Sequence, residues 1–131
     1  MNANTQNENV QLLALKIFGE PASKANSRKM VYIHGKPMFI KSEKALAYAK
    51  AFKQQCVGGT SRQIDGDVSV TIRIWYASRR PDLDESLILD LLQGVAYEND
   101  RQVKEKHIYW MPVDKANPRC EIVVEKIKPP L

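Results

Sequence analysis

In Val68-Ser-Val-Thr-Ile-Arg-Ile-Trp75, the apolar residues Val68, Val70, Ile72 and Ile74 alternate with Ser69, Thr71, Arg73 and Trp75, the period of a strand with one buried face. The chain then runs directly into Ser78-Arg-Arg-Pro-Asp-Leu-Asp84. Asp82 and Asp84 sit two apart, so a strand carried this far would turn both carboxylates to one face at its end, a geometry for holding a metal. Pro81 sets the direction of the backbone entering the pair.

Downstream, Glu85 to about Gly94 reads as a helix, with Leu87, Ile88, Leu91, Leu92 and Val95 on one side and Gly94 suited to its end. Val103 to Met111 and Cys120 to Ile127 are β-rich and are separated by the turn-rich loop Pro112 to Pro118. Upstream, Gln11 to Phe18 alternates as a first strand, closed by Gly19-Glu-Pro21. Met30-Val-Tyr-Ile-His34 and Met38-Phe-Ile40 flank Gly35-Lys-Pro37 as a short hairpin. Ser42 is a helix N-cap, followed by the spaced apolar positions Ala45, Leu46, Ala49 and Phe52 through about Gln55, with Gly58-Gly59 closing the helix. The resulting plan is α+β: a single domain over 11–131 with one mixed β-sheet and two helices packed on it. Residues 1–10 have too little apolar surface to offset the entropy of ordering and read as a disordered tail.

At 131 residues the chain is long enough to bury a core without covalent staples. Cys56 and Cys120 make no disulfide framework and are expected to be reduced, buried thiols, and no Cys/His spacing reads as zinc. The polar first residues lack the cationic start and apolar stretch of a signal peptide, and no apolar run approaches the roughly 18 residues of a membrane span. A cytoplasmic protein without membrane contact is the expectation. Twenty Lys and Arg against fifteen Asp and Glu give a net charge of +5, which points toward a polyanionic partner.

Taken alone, Asp84 reads as a helix cap and Asp100, in Glu98-Asn-Asp100, as a turn residue. Asp82 lies too far ahead of the helix to cap it. A helix of about ten residues leading away from Asp84, with a short return through Tyr97, is expected to bring Asp100 back beside the first two carboxylates. Three oxygen ligands suit Mg²⁺, with Mn²⁺ as the alternative, and the implied chemistry is phosphodiester hydrolysis. Asp90 falls with Ser86 and Gln93 on the solvated side of the helix, whereas Glu85, Glu98 and Asn99 are supporting groups or reserve ligands.

Arg80-Pro-Asp-Leu-Asp84, followed by Asp90-Leu-Leu-Gln-Gly-Val-Ala-Tyr-Glu-Asn-Asp-Arg-Gln-Val103, resembles the RusA family of Holliday junction resolvases. Phe18-Gly-Glu-Pro-Ala-Ser-Lys-Ala-Asn-Ser-Arg28 is similar to the opening segment of that family, so the resemblance runs in order from about residue 15 to residue 127. It implies a RusA-like fold and places Asp82, Asp84 and Asp100 as the three catalytic, metal-binding aspartates. It further implies a Mg²⁺-dependent endodeoxyribonuclease that resolves four-way DNA junctions in recombination and repair, working as a homodimer in a bacterial, prophage or phage setting. The chain departs from the family pattern at Glu85, where Asn is usual, at Asn99, where Asp is usual, and at Ile88, where a lysine is usual. The segment from Asp84 to Asp90 is also about two residues shorter than the family spacing. Lys104 and Lys106, just past Asp100, are candidates to replace the lysine. A chain that kept the fold without that lysine would instead be a non-catalytic protein binding branched DNA.

Lys24, Arg28 and Lys29 in one polar loop, Arg79 and Arg80 ahead of the acidic pair, and Lys104 are the expected DNA contacts, with Lys36, Lys41 and Lys44 extending the track. Tyr32, Phe39, Trp75, Tyr76, Tyr97, Tyr109 and Trp110 are expected mainly in the core or at an interface, and His34 and His107 are isolated.

Overall fold

The computed structural model describes residues 11–23, 28–56 and 63–128. The N-terminal tail, Lys24 and the Gly58-Gly59 pair lie outside them. The strand pattern at the centre of the chain holds: β4 spans Val68–Trp75, and Val68, Val70, Ile72 and Ile74 are all completely buried while the alternate residues are not. Around it stand β1 (Leu12–Phe18), β5 (Val103–Trp110) and β6 (Arg119–Lys126) in the order β1-β6-β4-β5. β6 is antiparallel to both of its neighbours and β5 is parallel to β4, so the sheet is mixed. The hairpin expected from Gly35 forms as β2 (Arg28–Ile33) and β3 (Lys36–Lys41), but as a separate two-stranded ribbon outside this sheet.

Two helices cover one face of the sheet. α1 (Glu43–Cys56) begins where Ser42 Oγ accepts a hydrogen bond from the Ala45 amide at 3.2 Å, the expected cap. Its buried stripe is Ala45, Tyr48, Phe52 and Cys56, whereas Leu46 is 54% exposed. The stripe is turned relative to the sequence expectation because Tyr48 is amphipathic: its ring packs inward and its hydroxyl meets Cys120 Sγ at 3.5 Å. Both cysteines are free and buried, as expected.

α2 (Ser86–Leu92) buries Leu87, Ile88, Leu91 and Leu92 against β4, Ile122 and Val124, in one core shared with α1. It is shorter than the sequence reading, because Gln93 turns extended and Gly94 takes φ +84°, a left-handed conformation that ends the helix without a side-chain penalty. Lys53 of α1 donates to the Leu91 and Gln93 carbonyls at 3.1 and 3.4 Å, placing a cation at the negative end of α2. The parallel β4/β5 pair requires a crossover, and the acidic segment, α2 and the turn after it form that crossover. Every residue singled out between Asp82 and Asp100 therefore lies on one connection along one edge of the sheet. Among the described residues no helix is long and apolar enough to cross a membrane.

Candidate active site

β4 stops at Trp75, so Asp82 and Asp84 stand on the loop beyond it and not at a strand end. What shapes the loop is Tyr76, the first residue past the strand, 1% exposed and packed on Trp110 with ring centroids 4.7 Å apart. Its hydroxyl donates to the Asp82 carbonyl at 3.1 Å and accepts from the Asp84 amide at 3.3 Å, tying both ends of the Asp-Leu-Asp segment to the sheet. Burial raises the Tyr76 phenol above its ordinary value. The backbone bond from Asp84 opposes that, and the charges of Asp84 and Glu20 push the same way as burial. The phenol therefore stays protonated and keeps its donor.

The Asp84 carboxylate takes up part of its capping role: Oδ1 accepts from the Ser86 amide at 2.9 Å and the Ser86 hydroxyl at 2.7 Å, at the entrance to α2. Asp82 is exposed and Asp84 half-buried. Glu20 adds a carboxylate that no charge pattern in the sequence picks out. It accepts from the Ala77 amide at 2.7 Å and lies 3.6 Å from Lys44, closing the base of the same loop. Its one signal is its place in the Phe18-Gly-Glu-Pro21 stretch.

Asp100 opens a 3₁₀ turn, Asp100–Gln102, whose geometry is set by Asn99: Asn99 Oδ1 accepts from the Arg101 amide at 2.9 Å, and Gln102 completes a capping box. The asparagine in place of the family aspartate is thus a structural cap. The Asp100 amide donates to Gln93 Oε1 at 3.0 Å, which fixes the turn to the C-terminal end of α2. The Tyr97 hydroxyl donates to the Leu89 carbonyl at 2.8 Å, and burial raises its phenol, with the charges of Asp100 and then Asp90 raising it further. Asp90 is exposed, as expected.

The backbone of Asp100 and the Asp82–Asp84 loop are held at opposite ends of α2. The loop sits at the N-terminal end of α2 and Asp100 is anchored at the other, about 10 Å apart for seven residues of helix. Among the described residues, no three His, Cys, Asp or Glu side chains converge closely enough to hold a metal ion. Exposed carboxylates suit a hard cation chemically, but one described chain does not assemble a three-carboxylate cage.

Cations surround the loop. Arg79 and Arg80 are exposed on it, and Lys106 reaches across from β5 to donate to Glu85 Oε2 at 2.8 Å. Lys104 is exposed two residues earlier on the same strand. Ile88 is completely buried, so the α2 position where the family usually has lysine faces the core here, and a cation reaches the acidic loop from the sheet instead. Arg28 and Lys29 lie on β2, with Lys29 3.9 Å from Glu43. Lys24 lies outside the described residues. Tyr32 and Phe39, expected mainly in the core or at an interface, are 69% and 71% exposed. His107 is not isolated: Glu105 lies 3.7 Å away, on the rim of a polar depression in the sheet face opposite the helices.

The fold and this loop define a small α+β domain that gathers carboxylates and cations on one crossover connection. The family model for endodeoxyribonuclease RusA matches residues 19–125, and the chain belongs to that family. No curated protein matches the chain. The resemblance carried by residues 80–103 is therefore borne out, and with it the nuclease character of the family.

Proposed function

We propose that the protein is a structure-selective endodeoxyribonuclease that resolves four-way DNA junctions by paired phosphodiester hydrolysis in recombination and repair, in a bacterial, prophage or phage setting. Family membership over residues 19–125 supports the class of reaction. The single observation that carries catalytic competence is Lys106 beside the acidic loop, 2.8 Å from Glu85, since it returns a cation that Ile88 removes.

In this reading Asp82, Asp84 and Asp100 are the reaction's carboxylates. Tyr76 holds the backbone of the first two, Lys106 offsets negative charge on the scissile phosphate, and Arg79, Arg80, Lys104, Arg28 and Lys29 grip the flanking phosphates. The cation is Mg²⁺, or Mn²⁺, and it would supply charge neutralisation at the phosphate. Because no three carboxylates among the described residues are grouped to hold it, no step of the chemistry is assigned to it. A four-way junction is nearly two-fold symmetric and its resolution needs two matched nicks, which favours a symmetric homodimer.

The missing cage also favours a second reading, a branched-DNA-binding protein without efficient chemistry. Labelled four-way, three-way and linear DNA, each incubated with Mg²⁺ and with chelator, separates the two. Paired nicks confined to the four-way junction with Mg²⁺ are expected. Junction binding with no metal-dependent nicking would leave only the binding protein.

A further inference from the structure

The β2–β3 ribbon is built to be exposed. Its two-residue turn puts His34 at φ +52° and Gly35 at φ +78°, both left-handed, the turn whose twist matches a tight hairpin. The pairing register then sorts its side chains. Arg28 lies opposite Lys41, Met30 opposite Phe39 and Tyr32 opposite Pro37 on one face, while Lys29, Val31 and Ile33 with Ile40, Met38 and Lys36 make the other. The second face is the less exposed, with Ile33, Met38 and Ile40 at 38–48% and Lys29 reaching Glu43 of α1.

The first face carries Phe39 and Tyr32, the two most exposed large apolar residues among those described, as diagonal neighbours. At its open end stand Arg28 and Lys41, which no described carboxylate pairs. An isolated two-stranded hairpin is only marginally stable in water, so this face is expected to be covered in the working state. Residues 28–41 contain Arg28, Lys29, Lys36 and Lys41 and no Asp or Glu. Two such ribbons repel one another, which disfavours a second copy as the cover and favours a polyanion that also offers flat apolar surfaces.

We propose that the Tyr32–Phe39 face of the ribbon recognises unstacked bases at the branch point of DNA, with Arg28 and Lys41 seated on the adjoining phosphates. This rests on the junction-directed function above and adds the element that tells a branch from a duplex. Aromatic rings stack on bases of any sequence, whereas paired and stacked duplex interior hides those surfaces.

The test compares the wild type with the double variant Tyr32→Ala/Phe39→Ala in chelator. The probes are a four-way junction carrying 2-aminopurine at the branch point and a linear duplex of matched length. The variant is expected to lose about tenfold to several hundredfold in junction affinity. Its duplex affinity should stay within about threefold of wild type, and the 2-aminopurine response should disappear. Tyr32→Phe/Phe39→Tyr, which keeps both rings, should bind the junction as wild type does, and Lys41→Gln should lower the salt slope of binding by about one. Unchanged junction affinity, or an equal loss on both DNAs, overturns the proposal. So does a double variant that dissociates in sedimentation, because the occupant of the face is then a second copy. If the wild type itself does not prefer the junction, the functional reading fails, and the ribbon's role with it.

Discussion

The ammonium group of Lys106 lies 2.8 Å from Glu85 Oε2, joining the middle of the edge strand β5 to the residue just before α2. Both side chains retain water contact, at 47% and 20% exposure, so the pair adds at most about 1 kcal/mol to stability. Its importance is positional. Lys106→Gln is expected to leave thermal stability and junction affinity nearly unchanged while slowing single-turnover cutting by about a hundredfold or more, the usual loss when one stabilising charge is removed from the reacting phosphate. Cutting within a few-fold of wild type would remove Lys106 from the chemistry.

Ile88 supplies the complementary test. It is completely buried in the core, so Ile88→Lys restores the family residue type at the cost of an unpaired buried charge. Destabilisation by about 3–5 kcal/mol is expected in urea unfolding, with no recovery of cutting when combined with Lys106→Gln. A stable, active double variant would show that the lysine reaches the loop from α2 after all.

Tyr76→Phe keeps the ring against Trp110 and deletes the hydroxyl that holds Asp82 and Asp84. About 1–2 kcal/mol of stability should be lost, because two backbone hydrogen bonds go with one atom. Junction cutting should fall further than junction binding, since the two lost bonds hold the Asp82 and Asp84 backbone, while Lys104, Arg28 and Lys29 grip phosphates from other elements. The ratio of the two losses, from matched gel-shift and cleavage assays, decides it.

Asp84→Asn retains a side-chain oxygen for the Ser86 amide and hydroxyl, so α2 should start normally. The variant is expected to bind junctions and not cut them. If cutting survives, Asp84 is a cap alone.

Cys120 makes stability depend on alkaline pH. Burial pushes its thiol up from 9.0 to about 11, the bond to Tyr48 opposes the shift, and the charges of Cys56 and Glu121 add to it. The folded state thus favours the protonated thiol. The contribution is complete below about pH 9, where the unfolded thiol begins to ionise, and is lost as pH rises through about 11. Wild type should lose about 2–3 kcal/mol of stability across that window by urea unfolding. Cys120→Ala should lose visibly less, and a thiol reagent near pH 8 should label neither buried cysteine before unfolding.

Much of the fold is legible in single elements. The β4 alternation, the Ser42 cap, the Gly35 turn and the apolar side of α2 each depend on neighbours within a few residues, where backbone period and local hydrogen bonding are encoded directly. The family resemblance was legible for the same reason, because its motif is one contiguous connection. What anchors Asp100 was not legible, because the Gln93 side chain holds its turn at the far end of α2, a contact with no periodic signature.

By itself, then, the sequence determined the strands and helices, the mixed-sheet α+β class, the RusA family and the acidic loop, since each follows from local period or a short motif. Only the tertiary structure decided which charges meet. Glu20 and Tyr76, 56 residues apart by number, close on one loop, Lys106 reaches Glu85 from another strand, and the ribbon stands out with its aromatics uncovered. The physical reason is that burial and Coulomb interactions depend on distance in space, and packing sets that distance between segments far apart along the chain.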